Sequence, residues 1–197
     1  KIFVKESTLD QVIELDSYQL HPNALIIGFG GGMVLDVVKQ FASNKMYPYI
    51  TIPSTLFSDG IYSPVARLNV NNKKKSFNVR PPLGIIADID IIRKSPEINL
   101  MAGIGDLTSN FSALDDWDLA QKEIGEGNND FAYSLSLLAA KSIKNYKYDE
   151  IRNDDFLKTL AYGLVISGLA MVISGDTRPS SGSEHLISHA IEDLFPE

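Results

Sequence analysis

Apolar residues in the first half of the chain fall into short runs separated by one helical pattern. "ALIIGFGGG" is an apolar run that ends in glycines, and "MVLDVVKQFA" after it repeats with helical spacing. "YPYITIP" predicts a second short strand ended by proline, "SPVARLNVNNKKKSFNVR" a two-stranded hairpin, and "LGIIADIDII" a buried β-branched strand. The opening "KIFVKE" is also strand-like. Strands so spaced, with a helix between them, predict a parallel α/β sheet. The character changes between Arg93 and Glu97. Beyond it the pattern predicts helices over "INLMAGIGDLTSNFSALDDWDLAQKE", "NNDFAYSLSLLAAKSIKNY", "NDDFLKTLAYGLVISGLAMVIS" and "SGSEHLISHAIEDLF". Asn153 or Asp154 is the expected cap of the third, and Ser180 or Ser181 of the fourth. The chain therefore divides into an α/β part, residues 1–94, and an all-helical part, residues 95–197. Neither an internal repeat nor a low-complexity segment interrupts them.

Composition adds exclusions. The 197 residues are 44% hydrophobic, enough for a buried core. A net charge of −7 and no basic face argue against a nucleic-acid partner. The one basic run, Lys73-Lys74-Lys75, is expected at a solvated hairpin tip. Without cysteine there are no disulfides and no thiolate metal sites. The most apolar stretch, Leu160 to Ile173, is too short to span a bilayer and is expected as a core helix. No secretory signal opens the chain, and a cytoplasmic location is expected. His21, in "YQLHPNA", is expected in a surface loop.

Three places carry candidate chemistry. Gly28, Gly30, Gly31 and Gly32 lie between a strand and a helix, where bare backbone N–H groups and the helix N-terminus can receive a phosphate. The spacing is not GxGxxG, so a tight structural turn stays open. Asp36 and Lys39 share one helix face, either as an exposed ion pair or with Asp36 turned to a cofactor. His185 and His189 stand at i and i+4 and project from one face. They can share a metal, divide metal and substrate between them, or simply pack. A catalytic zinc needs three protein ligands and an open position. Asp106, in "GIGDLTSNFSALDDW", is a candidate ligand or else a helix cap.

In this order, "GFGGGMVLDVVK", "TIPSTLFSDGIYSPVA", "GIIADIDII", "AGIGDLTSNFSALDDW" and "DTRPSSGSEHLISHA" resemble the sn-glycerol-1-phosphate dehydrogenase family. That family lies in the superfamily of iron- or zinc-dependent polyol dehydrogenases and dehydroquinate synthase. The resemblance runs from about Ala24 to Asp193. It implies a Rossmann-like nucleotide-binding part followed by a helical metal-binding part, both incomplete in this chain. Gly30, Gly31, Gly32 and the helix start through Asp36 would hold the pyrophosphate of NAD or NADP. Ser54, Thr55, Leu56, Phe57 and Ser63 would line that cofactor. Asp59 would contact substrate. Asp106 and His185 would bind one divalent metal, zinc before iron or nickel, with Asp106 also near the substrate and a third, histidine ligand beyond the chain end. His189 would face substrate. The implied partner is a small polyol or glycerol phosphate, with no nucleic acid and no integral membrane segment, in a homo-oligomer. The implied reaction interconverts dihydroxyacetone phosphate and sn-glycerol 1-phosphate. A polyol dehydrogenase of the same fold is the alternative. A dehydroquinate synthase-like lyase is disfavoured, because that type carries a glutamate where Asp106 stands.

Overall fold

The structure is a computed structural model that describes residues 1–195. Three strands, β1 (Ile26–Gly30), β2 (Tyr49–Pro53) and β5 (Gly84–Ile85), form a parallel sheet in the order β1-β2-β5. Ile26 pairs with Tyr49 and Gly30 with Pro53, so the glycine loop and the segment after Pro53 leave the same edge side by side. Helix α2 (Gly32–Asn44) returns the chain across the sheet and packs Val38 and Ala42 against Tyr49. The hairpin β3 (Val65–Val70) and β4 (Lys73–Asn78) stands apart from this sheet.

The helical part starts at α4 (Glu97–Ile124) and continues through α5 (Asp130–Ser142), α6 (Asp154–Ser174) and α7 (Ser183–Leu194). α6 is long and apolar enough by composition to cross a membrane, with a mean hydropathy of 1.9. It is a core helix here: Leu157, Leu160 and Leu164 are fully buried against Leu100 and Leu107 of α4 and Ala139 of α5.

Several expectations need correction. Residues 1–6 are irregular rather than a strand, and a helix follows them, α1 (Leu9–Asp16), whose N-terminus Thr8 caps through Gln11 N. The strand expected over "LGIIADIDII" stops after Ile85, because the Asp88 carboxylate accepts from Asp90 N and Ile91 N and starts the short helix α3 (Ile89–Ile92). The hairpin tip is Asn71-Asn72, at φ 52° and 63°, a left-handed pair that asparagine tolerates; Lys73-Lys74-Lys75 lies on β4. Asn153 precedes α6 without a side-chain cap bond, and Gly182, not Ser180 or Ser181, is the residue before α7. Asp106 is no cap, since it lies in the middle of α4. His21 is in an exposed turn, as expected, with Nδ1 accepting from Asn23 N.

Candidate active site

The glycine loop and the turn after β2 meet at the carboxyl ends of their strands, where parallel sheets place ligands. Gly31 caps α2 in an extended conformation, φ −81° and ψ −176°. A Cβ there would meet only Thr55 Cγ2 at 3.7 Å, and one on Gly32 would meet nothing within 4 Å. Open space therefore lies over the N-terminus of α2. Gly32, Asp36, Thr55, Phe57, Ser58 and Gly60 border it. Thr55 Oγ1 is buried there without a hydrogen-bond partner. An orphaned hydroxyl beside bare helix N–H groups fits a phosphate-bearing cofactor.

The expected cofactor contacts divide. Thr55 and Phe57 border the space, while Leu56 turns its side chain into the core. Ser54 N donates to Gly30 O at 2.9 Å and so ties the two loops together. Ser63 is buried beneath the turn, where its Oγ accepts from Lys39 Nζ at 3.3 Å.

Lys39 differs from the expectation of an exposed ion pair, because it is fully buried. Its ammonium donates to Val65 O at 2.7 Å and lies 3.9 Å from Asp36 Oδ1. Burial pushes the Lys39 pKa down, against the attraction of Asp36 and Asp59. Asp36 is also largely buried, and burial pushes its carboxyl up to about 6 despite Lys39.

Two helices reach into the segment that joins the glycine-loop side to the hairpin. Gly103 of α4 sits so close to Leu56 O that a Cβ would lie 1.9 Å from it, and a Cβ on Gly168 of α6 would come within 2.9 Å of Ser63 N. Between these contacts a 3-10 turn, Asp59–Ile61, presents Asp59. Asp59 N donates to Asp106 Oδ2 at 2.8 Å, and Ser167 Oγ on α6 donates to Asp59 Oδ2 at 3.1 Å. Ser167 also contacts Ser180 Oγ at 2.8 Å and receives Asn110 Nδ2 at 3.1 Å, so a buried polar network backs the turn.

Asp106 and His185, far apart in sequence, converge: Asp106 Oδ1 lies 3.8 Å from His185 Nε2. This is too long for a hydrogen bond. It is within about half an ångström of the ~3.4 Å between two tetrahedral ligands that share a metal. Burial pushes the Asp106 carboxyl well up, and the neighbouring Asp59 and Glu184 charges add to the shift. The Asp59 carboxyl is also raised by burial, against the bond from Ser167 and the charge of Lys39. Carboxylates gathered with so little cationic charge, beside an imidazole nitrogen, form a donor set that fits a divalent cation. Among the described residues no third His, Cys, Asp or Glu joins them in a metal-binding group. His189 lies next to His185, ring centroids 6.1 Å apart and edge to face.

The sequence pattern put Lys39 at the surface and gave Glu184 no part in the site. Lys39 falls on the apolar stripe Leu35, Val38, Ala42, a position that signals burial. Glu184 Oε1 contacts His185 Nδ1 at 2.9 Å, and only its adjacency to the histidine hinted at this. Burial opposes ionisation of Glu184, but the bonds from His185 and from Gly182 N outweigh it and hold its pKa down. Arg178 forks onto Glu126 through Nε at 2.7 Å and a second nitrogen at 2.5 Å, a salt bridge at the end of α4.

Residues 2–96 match the family model for iron-containing alcohol dehydrogenases. A glycerol-1-phosphate dehydrogenase [NAD(P)+] of Pyrococcus horikoshii is 41% identical over 197 residues, which is 98% of this chain and 57% of that protein. The corresponding protein of Thermococcus sibiricus is 40% identical over 173 residues, 87% of this chain and 49% of its own length. The chain thus spans about half the length of the curated relatives it matches. Among solved structures, a glycerol dehydrogenase from Schizosaccharomyces pombe superposes with a TM-score of 0.81 at 20% identity, over 99% of this chain and 51% of that one. That likeness shows the fold. Identity near 40% runs through both the α/β and the helical part, so the chain is similar along its length to glycerol-1-phosphate dehydrogenases, and residues 2–96 are similar to iron-containing alcohol dehydrogenases.

Proposed function

We propose that the protein is a metal-dependent, NAD(P)-dependent oxidoreductase that interconverts dihydroxyacetone phosphate and sn-glycerol 1-phosphate. The observation that carries this reading is the convergence of Asp106 and His185 at 3.8 Å beside the Asp59 turn. The relatives' names, at about 40% identity, support the choice of substrate.

The chain's residues divide the work. Gly30, Gly31 and Gly32 receive the pyrophosphate at the N-terminus of α2, and Thr55 Oγ1 gains a partner from the bound cofactor. Phe57 covers the same space. Asp106 and His185 would hold the divalent ion, taken as zinc before iron or nickel on the family resemblance, since the oxygen-and-nitrogen set itself suits all three. When bound, the ion supplies Lewis acidity toward the substrate oxygen and the nicotinamide supplies hydride. Asp59, oriented by Ser167, accepts a hydrogen bond from a substrate hydroxyl. His189, next to His185, exchanges the proton of the reacting hydroxyl with solvent. The α/β part, residues 1–94, thus serves the cofactor and the helical part the metal.

The test is kcat/KM for NADH- and NADPH-dependent reduction of dihydroxyacetone phosphate and of dihydroxyacetone by the full-length protein. The phosphate is worth roughly ten- to a hundredfold if a charge-assisted contact of about 1.5–3 kcal/mol receives it. Equal values, or preference for the unphosphorylated ketone, overturn the substrate assignment in favour of a polyol dehydrogenase. Turnover without net NADH change overturns the oxidoreductase reading.

A further inference from the structure

We propose that Glu184 is a positioning residue of the metal site: its carboxylate fixes the tautomer and ring orientation of His185, so that Nε2 is the nitrogen presented to Asp106. This rests on the reading of Asp106 and His185 as metal ligands and adds to it the device that aims one of them.

An ionised carboxylate only accepts hydrogen bonds, and a neutral imidazole carries one N–H. With Glu184 Oε1 2.9 Å from His185 Nδ1, that proton belongs on Nδ1. The lone pair is left on Nε2, which lies 3.8 Å from Asp106 Oδ1. The opposite tautomer would set two acceptors against each other and turn an N–H toward the metal position.

The carboxylate is itself held from two sides. Its Oε1 accepts from Gly182 N at 2.9 Å, at the start of the histidine helix α7. Its Oε2 accepts from Ser112 Oγ at 3.2 Å, and Ser112 stands on α4, the helix that carries Asp106. Glu184 therefore ties together the two elements that supply the ligands. Nearby, Asp116 on α4 accepts from Ser183 N at 2.6 Å, a second tie between the same helices. Both Glu184 oxygens are engaged, and the side chain is 27% exposed.

The experiment compares wild type, Glu184→Ala and Glu184→Gln in the full-length protein. The tautomer of His185 is read from long-range 1H–15N spectra of the histidine-labelled, metal-free protein with the rings neutral. Zinc affinity is read by competition with a chelator. The wild-type ring should carry its proton on Nδ1. Glu184→Ala should give a mixture of tautomers and a ten- to hundredfold loss of zinc affinity, as loss of an outer-shell partner does. Glu184→Gln keeps an acceptor oxygen and should recover most of both. If Glu184→Ala does not fold, Glu184→Asp keeps the charge at the helix start but cannot span the same gap, and should show the same losses. A wild-type ring that is already mixed, or a ring that stays fixed in Glu184→Ala, overturns the proposal whatever zinc does. A wild type that binds no zinc defeats the metal reading by itself, and the tautomer shift then decides the role of Glu184.

Discussion

Replacing Lys39 by methionine removes a buried cation with little change in length. The ammonium donates to Val65 O at 2.7 Å and to Ser63 Oγ at 3.3 Å, and it stands 3.9 Å from Asp36. Loss of the charge-assisted bond to a buried carbonyl costs about 1.5–3 kcal/mol. The Asp36 contribution is bounded. Its carboxyl already titrates at about 6 beside Lys39. At pH 7 it can escape by taking a proton, so the added penalty cannot exceed one pH unit, about 1.4 kcal/mol. A methionine tail is cheaper to bury than an ammonium and offsets part of the sum, which leaves a net loss of about 2–3 kcal/mol. Urea unfolding at pH 7 of wild type, Lys39→Met, Asp36→Asn and the double variant measures this. The interaction energy of the cycle should be at most about 1.4 kcal/mol at pH 7 and should fall toward zero by about pH 5, where Asp36 is protonated with or without its partner. A Lys39→Met variant within about 0.5 kcal/mol of wild type, or an interaction energy unchanged at pH 5, would refute the buried pair.

Gly31→Val should raise the KM for NAD(P)H at least tenfold while Tm moves by no more than a few degrees, since the backbone is extended and a Cβ meets only Thr55 Cγ2 at 3.7 Å; steady-state kinetics beside a thermal melt check both. Asp36 has a folded pKa raised from 3.8 to about 6, so the folded state binds the extra proton; its contribution is most favourable below about pH 4 and is lost as pH rises to 6, up to about 3 kcal/mol. Urea titrations should find that slope smaller in Asp36→Asn than in wild type. Gly103→Ala would put a Cβ 1.9 Å from Leu56 O, so α4 must shift, and Asp106 with it; zinc affinity and kcat should both fall, which chelator competition and turnover assays would detect.

The glycine loop, the alternation of strand and helix and the helical second half were legible because each is written in local periodicity or in residues with one strong conformational preference. Asp106 and His185 were each candidates on their own motifs, but their pairing came only through the resemblance, since nothing in the spacing of "GIGDLT" and "SGSEHLISHA" brings α4 to α7. What escaped depends on tertiary context. α1 is a single short amphipathic stretch, and helix existence at that length is decided by packing: Val12 and Leu15 are buried against Val37, Phe41 and Leu68. β5 reads as a long strand by its β-branched residues, and one local competitor, the Asp88 carboxylate on two backbone N–H groups, shortens it. Lys39 reads as half of a surface pair from its spacing to Asp36. Only its place on the stripe Leu35, Val38, Ala42 points inward, and a charge at such a place is normally resolved by the fold.

The site lies where the two parts of the chain are pressed together, and the sequence arranges this by omitting side chains. α4 and α6 each bring a glycine, Gly103 and Gly168, against the backbone of the segment 54–63 that continues from β2. With any larger residue the helices would stand off by the thickness of a methyl group or more, and the 2.8 Å bond from Asp59 N to Asp106 could not form. From the other side Lys39 pins the end of the same segment through Ser63 and Val65, and Thr51 Oγ1 donates to Ile61 O at 3.1 Å from β2. Asp59 is therefore fixed by groups from the sheet, from α2 and from two helices of the other part. A movement of the helices relative to the sheet would be felt at Asp59, Asp106 and the open space over the N-terminus of α2 together. Precision at this junction follows from the buried hydrogen bonds of Asp59, Ser63, Asp106 and Ser167 and from backbone-to-backbone contact, neither of which can yield gradually.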